Sequence, residues 1–314
     1  MNPFFLTVIQ TVFILVIAPF SLGLVRMVKA RLQGRHGASP FLPYRSFATL
    51  LRKEMVISKS TSWMFRFVPF VVLGSTCFLV LVLPLLTLGG IFSPLGDFVL
   101  VAAVLIIGSV FLVLGGLDVA SAFGGMGSSR EMTLAAMMEP VMITTFAAFA
   151  LVSEKTVIND MIPSIAGMSL FTHPFLILSV LSLLFLALAE NARYPVDNPA
   201  THLELTMVHE AMILEYSGPY LAMLEYASSL KLTVFSLLIA NIIVPFSLLT
   251  VASGGMALLL VLISTVLKIS IMMILLAILE SSMAKMRFYR MQEYASGAFF
   301  LALGGLILAL INVL

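Results

Sequence analysis

The chain has 314 residues, of which 61% are hydrophobic and only 10% are charged, and its mean hydropathy is +1.14. An ordinary soluble domain carries about 25% charged residues, so this composition excludes a soluble core and indicates that lipid is the main solvent. A net charge of +2 gives no basic excess for binding nucleic acid. The single cysteine excludes a disulfide framework and a cysteine-ligated zinc or iron–sulfur site, so any redox centre would belong to partner proteins.

About eight apolar stretches are long enough to cross a bilayer, because about 20 helical residues span a hydrocarbon core of about 30 Å. The predicted fold class is therefore all-α, a polytopic integral membrane protein in which residues 1–314 form a single transmembrane domain. The predicted spans are 3–25, 67–88, 98–117, 132–152, 174–190, 231–251, 256–280 and 296–314.

The basic residues predict how the chain is oriented. Fifteen of the 17 Lys and Arg residues lie in four alternate connections, 26–66, 118–131, 191–231 and 281–295. By the positive-inside rule these connections face the cytoplasm, which places both termini on the outer face. The segment 26–66 is then a basic cytoplasmic loop suited to anionic lipid or to a soluble subunit, and 191–230 is an acidic cytoplasmic loop.

The acidic loop carries a concentration of carboxylates. Thr201 and Glu204 have the spacing of a capping box, which predicts a helix from there to the Ser217-Gly218-Pro219 break and a second short helix from Tyr220. Apolar residues interleave with the acids, and burial of an unpaired carboxylate raises its pKa. The loop is either a proton relay or a docking and salt-bridging surface. Its candidate residues, with the preceding helix end, are Glu190, Asp197, Glu204, Glu210, Glu215 and Glu225.

Two ionisable residues are predicted at membrane depth. Lys268 and Glu139 fall near the middle of their spans, where a charge costs about 2.5–3.5 kcal/mol and usually faces protein or a water path. They form either a structural ion pair between helices or part of an ion pathway. Glu190 and Glu280 end their spans on the cytoplasmic side, and Asp118, Arg130 and Glu131 flank the loop between the third and fourth spans. Together they are predicted to lead inward from the acidic loop to Glu139 and Lys268.

Other patterns argue against familiar binding sites. His209-Glu210-Ala211-Met212-Ile213 does not complete the His-Glu-x-x-His pattern, and no metal-ligating set is predicted. Gly124-Gly125-Met126-Gly127 lacks the pattern of a phosphate-binding loop and is predicted to be a flexible link between two spans.

Several motifs resemble one family. Glu190-Asn-Ala-Arg193-Tyr-Pro195-Val-Asp197, followed by Glu215-Tyr216-Ser217-Gly218 and Glu225-Tyr226, is similar to the cytoplasmic loop of the complex I membrane subunit that anchors the peripheral arm and forms the quinone chamber. Asp197-Asn-Pro-Ala-Thr-His-Leu-Glu-Leu more closely resembles relatives in energy-converting membrane-bound nickel–iron hydrogenases of the formate hydrogenlyase and hydrogenase-4 type. Further similarity lies in Arg31-Leu-Gln-Gly-Arg-His-Gly and in Gly127-Ser-Ser-Arg130-Glu131 before Glu139-Pro140.

The resemblance implies a non-catalytic anchor in the inner (plasma) membrane, placed between a soluble redox arm and antiporter-like membrane subunits. Its carboxylates would couple electron transfer to ion movement, and Arg130 and Arg193 would shape the chamber. The coupling acids it implies are Glu139, Glu190, Asp197, Glu204, Glu215 and Glu225. This chain would bind no cofactor, while the soluble large and small hydrogenase subunits would carry a nickel–iron centre and iron–sulfur clusters.

The sequence leaves three functions open. The first is the ion-translocating anchor of such a hydrogenase, and the second is the quinone-chamber subunit of a respiratory NADH:quinone oxidoreductase. Arg35-His36-Gly37-Ala38-Ser39-Pro40 and Pro195-Val196-Asp197 depart from the Arg-x-Gly-Pro and Pro-Phe-Asp runs usual in complex I, which favours the first function and a chamber without quinone. The third is a stand-alone secondary transporter, suggested by Lys268 and Glu139. The residues do not distinguish H⁺ from Na⁺.

Overall fold

The computed structural model of the chain describes residues 2–166, 168, 173–197, 207–245, 255–283, 286 and 290–313. Within these ranges the chain forms eleven α-helices, numbered here in chain order, and a short 3-10 turn at Ser93–Leu95. The helices are α1 (Pro3–Leu32), α2 (Leu42–Arg52), α3 (Trp63–Val82), α4 (Phe98–Asp118), α5 (Ala122–Ser153), α6 (Ile158–Ile165), α7 (Pro174–Glu190), α8 (His209–Ile213), α9 (Gly218–Ile243), α10 (Gly255–Ser282) and α11 (Met291–Val313).

Seven of these helices are long and apolar enough to cross a membrane by length and composition, namely α1, α3, α4, α5, α9, α10 and α11. The apolar helix α7 is shorter, with 17 residues. The prediction of an all-α, multi-pass membrane protein is therefore confirmed. The count of eight spans, the outward orientation of both termini and the assignment of 1–314 to a single domain stay predictions.

The predicted flexible link at Gly124-Gly125-Met126-Gly127 is wrong, because these residues are part of α5. The Ser121 side chain starts this helix by accepting a hydrogen bond from the backbone N–H of Gly124 at 3.1 Å. Glycine is a poor helix former in isolation, so helical structure here depends on packing. The absence of side chains at Gly124 and Gly127 lets α4 and α8 approach α5 closely.

The acidic segment 191–230 also differs from the prediction. The second short helix predicted from Tyr220 is wrong, because α9 begins at Gly218 and continues without a break into the bundle. Pro219 lies in the first turn of α9, where a missing backbone N–H leaves no hydrogen bond unmade.

The preceding helix, predicted to reach Ser217, ends at Ile213. Beyond that point the ring of Tyr216 turns inward and stacks on the ring of Phe65, with centroids 3.9 Å apart. The predicted start of this helix at 201–204 lies outside the described residues, as does Glu204.

The basic segment 26–66 contains more helix than its charges suggest. The first span continues to Leu32, and α2 follows after a short connection. α2 packs on α1 and α9. The Tyr44 hydroxyl donates a hydrogen bond to the Val16 carbonyl at 2.6 Å, and the Phe47 ring meets the Tyr226 ring edge to face. These contacts hold an amphipathic helix against the bundle.

The bundle is built around α9. Its most apolar stretch is 72% buried, against 22% for that of α10, and it packs on α1, α2, α3, α7 and α10. The long helix α5 packs on α4, α7, α8 and α11. A second apolar cluster joins α8 to α3, α4 and α9, and its core residues are Phe65, Val68, Leu112, Val113, Val119, Met212, Ile213, Tyr216 and Leu224.

Buried amides hold the end of the bundle that contains the connection between α3 and α4. The Gln10 amide nitrogen donates to the carbonyls of Val80 and Leu83 at 2.8 and 2.9 Å, and its oxygen accepts the backbone N–H groups of Leu86 and Thr87. Because an unpaired buried polar group is costly, these bonds fix the connection to α1.

Asn241 extends the same network from α9. Its amide nitrogen donates to the carbonyls of Pro84 and Leu85 at 3.0 Å each, and its oxygen accepts a hydrogen bond from Lys268 Nζ at 2.9 Å. Lys268 is therefore bonded to a residue that holds the connection between α3 and α4.

Candidate functional site

The opposite end of the bundle carries a dense set of charged side chains, which we call the charged rim. It comprises the C-terminal ends of α1, α4, α7 and α10, the N-terminal parts of α5 and α9, and α8 with the segment 191–197. Hydrogen bonds and ion pairs join side chains of these elements that are far apart in the sequence.

Glu280 is the central anion of one cluster at the rim. Its two carboxylate oxygens bind Lys29 Nζ at 3.1 Å and an Arg193 guanidinium nitrogen at 3.3 Å, and the residue is only 3% exposed. The Lys29 ammonium also lies 4.3 Å from the centre of the Tyr194 ring, within the range of a cation–π contact. This cluster ties the ends of α1 and α10 to the segment after α7.

A second ion pair joins α7 to α9. Lys231 binds Glu190, the last residue of α7, and both side chains are largely buried. The attraction between a buried carboxylate and a buried ammonium offsets the hydration that each has lost, so the two charges are tolerated together inside the bundle.

Asp197 and Arg130 position the start of α8. The Asp197 carboxylate accepts hydrogen bonds from the backbone N–H groups of Val208 and His209 at 3.2 and 3.4 Å, and Asp197 is 2% exposed. Arg130, on α5, donates to the carbonyl of Met207 at 2.9 Å. The Asp197 carboxylate binds the first free N–H groups of α8, and the Arg130 guanidinium binds the carbonyl just before them. Together these bonds fix where α8 begins.

Small residues let α8 reach the interior. A Cβ atom added at Gly127 would lie 2.9 Å from the Ala211 side chain, and one added at Gly116 would lie 3.1 Å from the Met212 side chain. Met212 and Ile213 are buried in the apolar cluster that includes Phe65. The polar side of α8, with His209 and Glu210, is thereby turned toward the rim.

Two small polar cavities lie beneath α8. The first has a volume of about 50 Å³ and is lined by Glu131, Glu190, His209 and Lys231 together with apolar residues of α3 and α4. A cavity needs roughly 10–15 Å³ of such volume to hold one water, so it has room for a few water molecules.

The second cavity lies next to the first, has a volume of about 60 Å³, and contains more charge. Its charged and titratable lining residues are Arg26, Arg193, Asp197, His209, Glu210 and Glu225. Because its three acids and two arginines face one small space, the negative and positive charges largely balance.

Burial changes the pKa of the two polar residues of α8. Burial and the neighbouring Glu225 and Asp197 carboxylates raise the pKa of Glu210 to about 7, although Arg26 and Arg193 act in the opposite direction. Burial also lowers the pKa of His209 to about 4, with Lys231 adding to this effect and Asp197 opposing it. At neutral pH, Glu210 can therefore bind or release a proton, and His209 is uncharged.

A third cavity is larger and almost entirely apolar. It has a volume of about 360 Å³ and lies among α7, α9 and α10, with side chains such as Leu184, Phe235 and Leu276 on its walls. Asn191 and Arg193 line it where α7 ends. It could hold an apolar group but offers few partners for a polar one.

The structure brings together most of the residues predicted from sequence. Those that lie in the rim clusters or line its polar cavities are Glu280, Glu190, Arg193, Asp197, Glu210 and Glu225, while Arg130 holds the segment before α8. Asp118 instead joins the end of α4 to the start of α3, because its carboxylate accepts the backbone N–H of Ser62 at 2.8 Å. Glu215 is exposed beside the end of α8.

Glu139 and Lys268 are not brought to these cavities. Among the described residues, neither lines a polar rim cavity, and the two form no ion pair with each other. Their helices have different principal neighbours, since α5 packs on α4, α7, α8 and α11 whereas α10 packs on α1 and α9. Their place in an ion pathway stays a prediction.

Four rim residues were not among the predicted site residues: Arg26, Lys29, His209 and Lys231. Glu131, which was predicted at the rim, lines the first cavity. The signal that could have found Arg26, Lys29 and Lys231 is their position at or near the cytoplasmic ends of the predicted spans 3–25 and 231–251. The partners they contact are far away in sequence, and no local motif indicates them.

Apolar spanning helices that enclose paired charges and small polar cavities at one end define the class: an integral membrane protein with an ionisable interior. A family model described as NADH dehydrogenase matches residues 5–311, and the chain belongs to that family. The predicted resemblance is thereby confirmed.

Curated relatives come from Escherichia coli strain K12. Hydrogenase-4 component C is 31% identical over 279 residues, which cover 89% of this chain and 87% of that protein. Formate hydrogenlyase subunit 4 is 28% identical over 280 residues, covering 89% and 90%. Among solved structures, the membrane-bound sulfane sulfur reductase, an archaeal respiratory membrane complex, contains a chain that matches with a TM-score of 0.82 and 17% identity. The match covers 98% of this chain and all of that one, and it shows a shared fold.

Proposed function

We propose that this chain is the membrane anchor of an energy-converting, membrane-bound hydrogenase complex in the inner (plasma) membrane. It docks a soluble redox arm on the cytoplasmic face and couples electron transfer to movement of H⁺ or Na⁺. The observation that carries the proposal is the pair of polar cavities under α8, which place carboxylates of α5, α7, α8 and α9 within one small region. The similarity to components of hydrogenase-4 and formate hydrogenlyase supports the hydrogenase assignment.

The proposed partners are those that the resemblance implies, and the similarity to components of hydrogenase-4 and formate hydrogenlyase supports them. The soluble large and small subunits carry the nickel–iron centre and the iron–sulfur clusters, antiporter-like subunits pack in the membrane, and this chain itself binds no redox cofactor. The rim offers the soluble arm a surface that α8 and the acidic segment form together. α10 is the least buried span, and its exposed apolar side chains suit a neighbouring membrane subunit.

A second candidate function is the quinone-chamber subunit of a respiratory NADH:quinone oxidoreductase. The specific observation in its favour is the apolar cavity of about 360 Å³ with Arg193 at one end, which has the size and surface for an apolar ring and tail. The departures of the motifs at 35–40 and 195–197 from the complex I pattern argue for the hydrogenase.

The test uses the complex purified from its native membrane and reconstituted in proteoliposomes. The proposal expects hydrogen evolution accompanied by ion uptake, with no reduction of an added short-chain quinone. Quinone reduction without hydrogen evolution would establish the second candidate. Solute uptake by this chain alone would instead support a stand-alone transporter.

Variants connect the activity to the rim. Glu190→Gln removes the acidic partner of Lys231 and is expected to reduce coupled turnover, whereas Glu293→Gln changes an exposed acid outside the cavities. Equal turnover of the two variants would contradict the assignment of the cavities to coupling.

A further inference from the structure

The two polar cavities share part of their walls. Asn191, His209 and Ser228 line both of them, and His209 is the one titratable residue among these three. Glu131, Glu190 and Lys231 lie on the side of the first cavity, while the carboxylates of Asp197, Glu210 and Glu225 lie on the side of the second. Of the residues on the shared wall, His209 is therefore the one whose side chain can bind and release a proton between these two groups of acids.

The backbone of His209 is held in place. Its N–H donates to Asp197, and the residues that follow are packed into the apolar cluster with Phe65. Gly127 allows the next turn of α8 to touch α5 directly. The backbone that carries the imidazole is consequently fixed at the wall that the two cavities share, and proton transfer depends on such positioning.

Asn191 supplies a polar atom at the same junction. Its amide nitrogen donates to the Ala187 carbonyl at 2.8 Å, but its side-chain oxygen is buried and accepts no hydrogen bond among the described residues. A buried acceptor of this kind calls for an explanation, and a water molecule in either cavity would satisfy it. Water at Asn191 would lie beside the ring that separates the two cavities.

We propose that His209 passes protons between the two cavities, and this inference rests on the proposed function. One ring nitrogen binds a proton from water on the Glu210 side, and the other releases its own proton to water on the Glu131 and Glu190 side. The imidazolium exists only between these two events, and the ring then returns to its first tautomer. The transported species at this point is H⁺, because an imidazole cannot hand on Na⁺.

Charged and titratable groups from several helices surround His209. The charged groups that line the two cavities with it are Glu131 on α5, Glu190 at the end of α7, Arg193 and Asp197 after it, Glu210 on α8, Glu225 and Lys231 on α9, and Arg26 on α1. Burial keeps the pKa of the His209 ring near 4, so it is uncharged at rest and does not retain the proton it receives. The pKa of about 7 on Glu210 makes that carboxyl a donor at neutral pH.

The experiment uses the intact complex in proteoliposomes, with hydrogen evolution and internal pH recorded together. In His209→Ala, proton uptake is expected to fall about 100-fold, the usual minimum contribution of a general acid–base group. Added imidazole can enter the space left by the ring and is expected to restore uptake in a concentration-dependent way. A purely structural defect would not respond to free imidazole.

Two further variants complete the test. His36→Ala removes an exposed histidine of the basic loop and should neither lose uptake nor respond to imidazole. His209→Gln keeps a hydrogen-bonding side chain of similar length but cannot carry a proton, so it should lose uptake even if the alanine variant fails to assemble.

The outcomes separate this inference from the proposed function. Wild-type rates in assembled His209→Gln complex, no rescue of an assembled alanine variant, or a wild-type complex that moves Na⁺ and no H⁺ would each overturn the proton relay. Absence of hydrogen evolution and of any ion uptake in the wild type would overturn the proposed function instead.

Discussion

Replacing Glu280 by glutamine tests whether the ion cluster holds the charged rim together. The substitution preserves size and shape but removes the negative charge that Lys29 and Arg193 share at 3.1 and 3.3 Å. The two cations then face each other in a site where the remaining side chain is almost completely buried. Their mutual repulsion and uncompensated loss of hydration are both expected to destabilise the fold.

The size of the effect follows from the burial. Removing one partner of a buried ion pair costs about 3–5 kcal/mol, and the lower value applies here because the glutamine amide oxygen could still accept one hydrogen bond. For a chain of this size, about 3 kcal/mol corresponds to a melting temperature lower by roughly 5 °C. The unfolding assay is thermal denaturation in detergent with a thiol-reactive dye, since Cys77 is the single cysteine and is partly buried in α3.

The matched control is an ion pair whose two side chains are exposed to solvent. Glu293 pairs with Arg290 at 3.7 Å one turn apart on the surface, where both side chains are mostly exposed. Because exposed pairs contribute little, Glu293→Gln should lower the melting temperature by less than about 1 °C. If Glu280→Gln melted no lower than Glu293→Gln, the reasoning that the buried cluster stabilises the rim would be refuted.

Lys29→Met combined with Glu280→Gln gives a second check. The double variant carries one unpaired cation fewer than Glu280→Gln alone, so its melting temperature should lie above the value expected from adding the two single effects. Additive effects would mean that Lys29 and Glu280 do not interact in the folded protein.

Three further predictions concern packing, titration and coupling. Gly127→Ala should push α8 away from α5 and lower coupled hydrogen evolution several-fold, whereas Gly125→Ala, whose added Cβ meets nothing within 4 Å, should have wild-type activity. The raised pKa of Glu210, about 7 against an ordinary 4.5, means that its stabilising contribution is complete below pH 4.5 and is lost as the pH rises through 7. In calorimetry, Glu210→Gln should therefore gain melting temperature relative to wild type between pH 5 and pH 8, and a constant difference would contradict this. Glu139→Gln should assemble normally but evolve hydrogen without ion uptake, and unchanged uptake in proteoliposomes would remove Glu139 from the pathway.

The amino-acid sequence by itself determined that this is an all-α membrane protein and identified several rim residues. Each apolar side chain is individually more stable in lipid than in water. A run of about 20 such residues therefore indicates a membrane-spanning helix without any knowledge of the fold. Glu190, Arg193 and Asp197 were recognisable because they lie within eight residues of one another in one motif. Their chemistry and their proximity were both local properties.

Where α5 begins was decided by the tertiary structure and not by local helix propensity. Gly124 and Gly127 have low helix propensity, and their place in α5 follows from how closely α4 and α8 approach them. The end of α8 in the acidic segment was also decided by a tertiary contact. This helix ends shortly before Tyr216, whose ring turns inward and stacks on Phe65 of another span. Local propensity is a weak signal wherever a packing contact supplies more free energy.

The site itself was decided by tertiary structure for the same reason. Lys29 and Glu280 are separated by 251 residues, and Arg193 and Glu280 by 87, yet each pair is within hydrogen-bonding distance. His209 carries no signal that it lies between two cavities, since its neighbours come from α5, α7 and α9. Which charged side chains meet depends on how long helices pack side by side, and that arrangement is a property of the whole bundle.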